Sequence, residues 1–172
     1  MAIDIGGTFL SAAYNTGNGW TYVWPENVAN ASGVLDTVNV SVPVSGVQGL
    51  VVGTVPLDTA PNFTFRDWAD LGDLEDGDHV ISGLSIDVVV GDSIGHYNLG
   101  GNIFYYYSVS PTPGYAHYYY WAGNGIDGNS HDFTYDGTFY QIFGYGASGT
   151  ETPVTTPSAG AKKAARIFQR FG

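Results

Sequence analysis

The chain has 172 residues, 25 of them glycine and none cysteine, with sixteen acidic against five basic side chains and a formal net charge of −11. That length suits one domain with a sizeable core, and the missing thiols exclude disulfides, cysteine nucleophiles and thiolate metal sites. Such acidity disfavours nucleic acid, whose phosphates call for Lys and Arg, and no apolar run approaches the roughly 20 residues of a membrane helix.

The chain opens on Asp4-Ile5-Gly6-Gly7-Thr8, which resembles the first phosphate motif of the sugar-kinase and actin-like ATPases. Those proteins need two α/β lobes and a second phosphate loop, and no strand–helix alternation follows, so a local strand and glycine turn are expected here. The amino terminus lacks the basic region and apolar core of a signal peptide. Export, if it occurs, is therefore expected by lysis, by another route, or after loss of a leader.

From Asn15 onward the rhythm is that of β-strands. Trp20, Tyr22 and Trp24 alternate with Thr21 and Val23, and Val38, Val40 and Val42 alternate with Thr37, Asn39 and Ser41, the pattern of strands with one wet face. Leu50-Val51-Val52 with Val55 is apolar on both sides and predicts a central strand, whereas Asn62 to Arg66 alternates again. Asp70 to Asp78 reads as an acidic loop before a long strand in which Leu84, Ile86, Val88 and Val90 face one way, ended by a Gly91-Asp92 turn. A further strand runs from Ser93 to Asn98, and Gly100-Gly101 breaks it.

The region from Ile103 to Tyr145 holds ten of the thirteen tyrosines. Its two bursts, Ile103 to Tyr107 and His117 to Trp121, flank a Pro/Gly-rich segment and predict a hairpin. Asp136-Gly137 predicts a second hairpin joining Phe133–Tyr135 to Thr138–Phe143. Eight or nine short strands with regular turn signals describe an all-β protein, an antiparallel β-sandwich of jelly-roll type, with a closed barrel as the other arrangement.

The stretch Gly83 to Tyr97, together with Ile142-Phe143-Gly144-Tyr145-Gly146, resembles the β-sandwich modules of uncharacterised phage and bacterial surface proteins, over residues 20 to 147. The resemblance implies a component of a virion or extracellular fibre, sometimes glycan-binding, and carries over no functional residue.

Residues 1–147 thus read as the sandwich domain, 148–158 as a Ser/Thr/Pro linker and 159–172 as a basic tail with a short C-terminal amphipathic helix. Charge divides sharply along the chain. Residues 1–161 carry all sixteen acids and one base, Arg66, a net −15, while Lys162, Lys163, Arg166 and Arg170 make the remainder +4. These cations, with Ile167, Phe168 and Phe171, are the expected assembly residues, docking head to tail on a neighbouring copy in a homo-oligomer.

Enzyme chemistry finds little footing. The three Glu (Glu26, Glu75, Glu151) fall in predicted loops or the linker, no Gly-x-Ser-x-Gly elbow exists, and His79, His96, His117 and His131 are scattered, expected at strand ends. No cofactor is expected unless calcium binds a hard-oxygen loop: Asp127, Asn129 and Asp132, or Asp73 to Asp78. Three sequons begin at Asn30, Asn39 and Asn62. The aromatics nominated for a ligand or an interface are Trp20, Trp24, Tyr106, Tyr119 and Trp121. The leading expectation is a non-enzymatic structural subunit of a virion or extracellular filament; the alternative is a glycan-binding, lectin-like module.

Overall fold

The computed structural model describes residues 2–6, 14–15, 17–25, 27–43, 45–108, 118–136, 140–143 and 145–151. Their secondary structure is antiparallel β throughout, apart from one 3-10 turn at Leu57–Thr59. The expected C-terminal helix and the assembly residues Lys162, Lys163, Arg166, Ile167, Phe168, Arg170 and Phe171 lie outside the described residues.

Numbering strands along the chain, a four-stranded sheet has the order β1 (Ala2–Gly6), β16 (Tyr145–Glu151), β4 (Gly33–Val42), β8 (Gly77–Val88). A seven-stranded sheet runs β10 (Gly100–Gly101), β5 (Val47–Val55), β9 (Ser93–Asn98), β3 (Trp20–Trp24), β12 (Tyr118–Ala122), β14 (Thr134–Asp136), with β7 (Asp67–Leu74) also paired to β5. Two small sheets complete the set: β15 (Tyr140–Phe143), β11 (Phe104–Ser108) and β2 (Tyr14–Asn15) form one, and β13 (His131–Asp132) with β6 (Asn62–Phe63) the other.

The two large sheets share one core. Ile3, Ile5, Leu35, Val38, Val40 and Ile86 from the first pack with Leu50, Val52, Ile94 and Trp24 from the second. The predicted alternation in β4 holds only in part: Val38, Val40 and Val42 are fully buried, each burial stabilising the fold by about 2 kcal/mol, and Thr37 and Asn39 are half-buried, but Ser41 is buried as well, its hydroxyl donating to Asp78. At its start the alternation is offset by a bulge at Asp36, where the register slips against both β8 and β16, keeping Leu35 and Val38 on the core face. The outer face of the seven-stranded sheet carries a second core of Val23, Val55, Phe63, Phe65, Ile126 and Phe133. Cover on both faces explains why β5 is apolar on both sides, as the sequence predicts.

Phe65 fills a particular gap in that second core. Gly53 and Gly95 are register partners in β5 and β9, and a Cβ added at Gly95 would lie 2.6 Å from Phe65 Cζ and 2.8 Å from the Tyr22 carbonyl oxygen. The ring thus occupies the space that two side chains would otherwise take. Gly95→Ala is expected to destabilise the fold by about 2 kcal/mol through overpacking, measured by denaturant unfolding; an unchanged midpoint would show that Phe65 moves aside freely.

Four expectations are corrected. The tyrosine bursts do not pair with each other: β11 pairs with β15 and β2, whereas β12 pairs with β3 and β14. The second predicted hairpin is not formed either, since β14 and β15 belong to different sheets. The acidic stretch from Asp70 to Asp78 is mostly strand, because its carboxylates find donors within the sheets: Asp70 accepts from Gly72 N nearby, Asp73 from Gly49 N in β5 and Asp78 from Ser41 Oγ in β4. Its Leu71 and Leu74 meanwhile pack on the main core. Finally, residues 148–151 are not linker but the end of β16, held between β1 and β4. Gly149 is a packing requirement there, since a Cβ on it would come within 1.9 Å of the Val34 carbonyl oxygen.

Candidate functional site

Strand alternation places Trp20, Tyr22 and Trp24 on one face of β3, and the registers Tyr22↔Tyr120 and Tyr118↔Asp136 set β12 and β14 beside them. Exposure falls steeply along β3. Trp20 is 37% exposed, Tyr22 half-buried and Trp24 only 3% exposed, so the opposing sheet covers one end of the aromatic row and leaves the other open. At the open end Trp20, Tyr22, Tyr118, Tyr120 and Asp136 line a cleft of about 220 Å³.

The rings meet at angles. Trp20 and Tyr120 lie 5.5 Å apart at 57°, Tyr22 and Tyr118 5.9 Å apart at 45°, and Tyr118 and Tyr120 5.9 Å apart at 41°. Tyr118 donates its hydroxyl to Asp136 Oδ2 at 3.1 Å. Burial, reinforced by the Asp136 charge, raises the pKa of that phenol above its ordinary value, so it remains a donor at neutral pH. Beneath the cleft, Tyr22 stacks on His96 at 5.2 Å and 20°. His96 lies in mid-strand in β9 and is wholly buried, a correction to the strand-end placement expected for it; burial lowers its pKa to about 3, so the imidazole is neutral.

The structure disperses the nominated aromatics. Trp20 belongs to the cleft, and Trp24 fills the main core. Tyr119 and Trp121 point to the opposite face, where Tyr119 meets Phe63 edge-on at 4.9 Å and Trp121 lies 5.0 Å from His131. Tyr106 belongs to β11, and its side chain lies outside the described residues. Tyr22, Tyr118, Tyr120 and Asp136 were not singled out from the sequence, although Tyr22 alternates with Trp20 and Trp24 and Tyr118 and Tyr120 fall within the second aromatic burst. The signal for the tyrosines was the i, i+2 spacing in Trp20-x-Tyr22 and Tyr118-x-Tyr120; for Asp136 there was none.

In the proposed calcium loop, Asp127 Oδ1 accepts from Asn129 N and His131 Nε2, both at 2.9 Å, and Oδ2 accepts from Asn129 Nδ2 at 3.0 Å. The Asn129 and His131 bonds hold the Asp127 carboxyl down at about 2. Both oxygens are thus engaged within the loop, and Asp132 is exposed on β13. Among the described residues no three His, Asp or Glu side chains gather as a metal-binding group. Asn30 of the first sequon caps the outer edge of β1, accepting from Asp4 N at 3.0 Å and donating to Ala2 O at 3.4 Å.

Two further depressions lie elsewhere on the surface. A groove of about 520 Å³ lies between Ser45–Gln48 and Asp73–Asp76, and one of about 260 Å³ surrounds Arg66 and Asp92. In the latter Arg66 grips Asp92 with two hydrogen bonds, Nε to Oδ2 at 2.6 Å and Nη2 to Oδ1 at 3.1 Å.

Compared with known proteins, the chain matches no family model, no curated protein and no solved structure. No helix among the described residues is long and apolar enough to cross a membrane.

Proposed function

We propose that this chain is a non-enzymatic, glycan-binding subunit of a virion or extracellular filament, built on a jelly roll. The observation that carries glycan binding is the cleft: aromatic faces suit the apolar face of a pyranose, while the Asp136 carboxylate can accept from sugar hydroxyls. Asp136 is the one carboxylate lining it among the described residues, whereas glycoside hydrolysis ordinarily needs two carboxyls flanking the scissile bond.

The jelly-roll reading rests on strand order. Taking β1, β3, β4, β5, β7, β8, β9 and β16 as successive strands of an eight-stranded roll, the orders β1-β16-β4-β8 and β3-β9-β5-β7 are those of its two interleaved sheets. Strands β10 to β15 then form an insertion before the last strand of the roll. That insertion contributes Tyr118, Tyr120 and Asp136. Jelly rolls occur in viral capsid and lectin domains, an analogy that fits both halves of the proposal.

A glycan array read with the full chain is expected to show saturable binding that Trp20→Ala weakens at least tenfold, and that Trp68→Ala, on exposed β7, leaves unchanged. Equal loss in both variants, or binding to no glycan, would remove the reading.

The charge division along the sequence favours a second element of the same function, head-to-tail assembly through residues 159–172. Screening weakens such contacts, so particle size in light scattering is expected to fall with salt and to collapse to the monomer on deletion of 159–172. A truncated chain that assembles like the full one would rule the tail out.

A further inference from the structure

We infer that the cleft selects glycans whose bound unit carries a free ammonium group, an amino sugar in its cationic form, with the carboxylate of Asp136 as counter-charge. This rests on the cleft being the glycan site and names which glycans it takes.

Ring geometry is the first ground. Here four aromatic side chains, inclined to one another by 41° to 57°, line the same cleft as the Asp136 carboxylate, and a cation over the face of such a ring is attracted by it. Position is the second ground. By register Trp20 pairs with Ala122, Tyr22 with Tyr120, and Asp136 with Tyr118, so the carboxylate stands at one end of a diagonal row and the open indole at the other. A ligand with an apolar ring face and a cationic end matches that polarity, and a cleft of about 220 Å³ is below the size of pockets for drug-sized ligands, admitting a single ring-sized unit.

Surrounding charge is the third ground. Arg66 is the one Lys or Arg among the described residues, and it is bound to Asp92. Residues 1–161 carry a net −15, a field that draws cationic ligands and repels acidic sugars.

The test is calorimetric titration of the full chain with three tetrasaccharides: β1,4-linked glucosamine, the same tetramer fully N-acetylated, and a β1,4-linked glucose tetramer, at pH 6 in moderate salt. The glucosamine tetramer is expected to bind about tenfold more tightly than the other two. Asp136→Asn is expected to erase that preference, whereas Asp76→Asn, the same change of charge in the β7–β8 turn, leaves it intact. Because each variant alters one of sixteen acids, diffuse attraction to the acidic surface is nearly equal in both. Equal binding of all three tetramers would overturn the ammonium preference and spare the glycan reading. A preference that survives Asp136→Asn would overturn it as well, and binding of no tetramer would overturn both.

Discussion

Arg66→Met is expected to destabilise the protein by about 3 kcal/mol and to lower its melting temperature by roughly 10 °C. Asp92 is almost completely buried, its side chain 4% exposed against 33% for Arg66, so removing the guanidinium strands a carboxylate away from water. The loss lies at the low end of the range for broken buried pairs because Asp92 Oδ2 also accepts from Val89 N at 2.9 Å, which keeps part of its solvation. Location raises the stakes. Asp92 sits where the chain crosses from β8 in one large sheet to β9 in the other, and its backbone oxygen accepts from Ala29 N. Arg66 therefore ties the crossing between the two large sheets to the segment that carries Phe65. Methionine retains most of the apolar stem, so the variant isolates the charge. Asp92→Asn and the double variant complete a thermodynamic cycle, measured by guanidinium unfolding, with an expected coupling above 1 kcal/mol. Additive losses would show that the two residues stabilise the fold independently.

Acid is expected to destabilise the protein well before its carboxylates protonate, and His96 is the cause. Its folded pKa is about 3, below the ordinary 6.5 of an unfolded histidine, so between those values the unfolded chain takes up a proton that the folded one refuses. Stability from this residue is thus complete above pH 6.5 and falls by about 1.4 kcal/mol per pH unit below it. The loss reaches about 3 kcal/mol by pH 4. His96→Phe keeps a ring against Tyr22 and removes the titration, so its unfolding midpoints from pH 7 to 4.5 should be markedly flatter than those of the parent. Asp127 does not blur this comparison: its folded pKa is depressed to about 2, so its contribution is present above the unfolded carboxylate value and is lost only below about pH 4. Parallel slopes for parent and variant would show that His96 is protonated within the fold.

What the sequence by itself determined is local. Alternation in Val38, Val40 and Val42, the double-sided apolarity of Leu50-Val51-Val52, and the scarcity of helix formers establish strands and an all-β protein, because the pleat sets side-chain direction with period two wherever a strand forms. Alternation likewise requires Trp20, Tyr22 and Trp24 to share a face. Tertiary structure decided which strand lies beside which. Backbone hydrogen bonds are chemically alike in every strand, so the partner of Tyr118–Ala122 was set by the burial available across whole sheets, which drew it to Trp20–Trp24 rather than to the neighbouring burst. That choice brought Tyr120 beside Tyr22 and, through β14, Asp136 beside Tyr118. It also left Trp20 at the open end of the aromatic row while the opposing sheet sealed Trp24. Burial of His96 and the grip of Arg66 on Asp92 have the same origin, since each depends on residues distant in the chain meeting in a low-dielectric interior. Local pattern carries the direction of a side chain; its neighbours, its solvent and hence its chemistry come from packing.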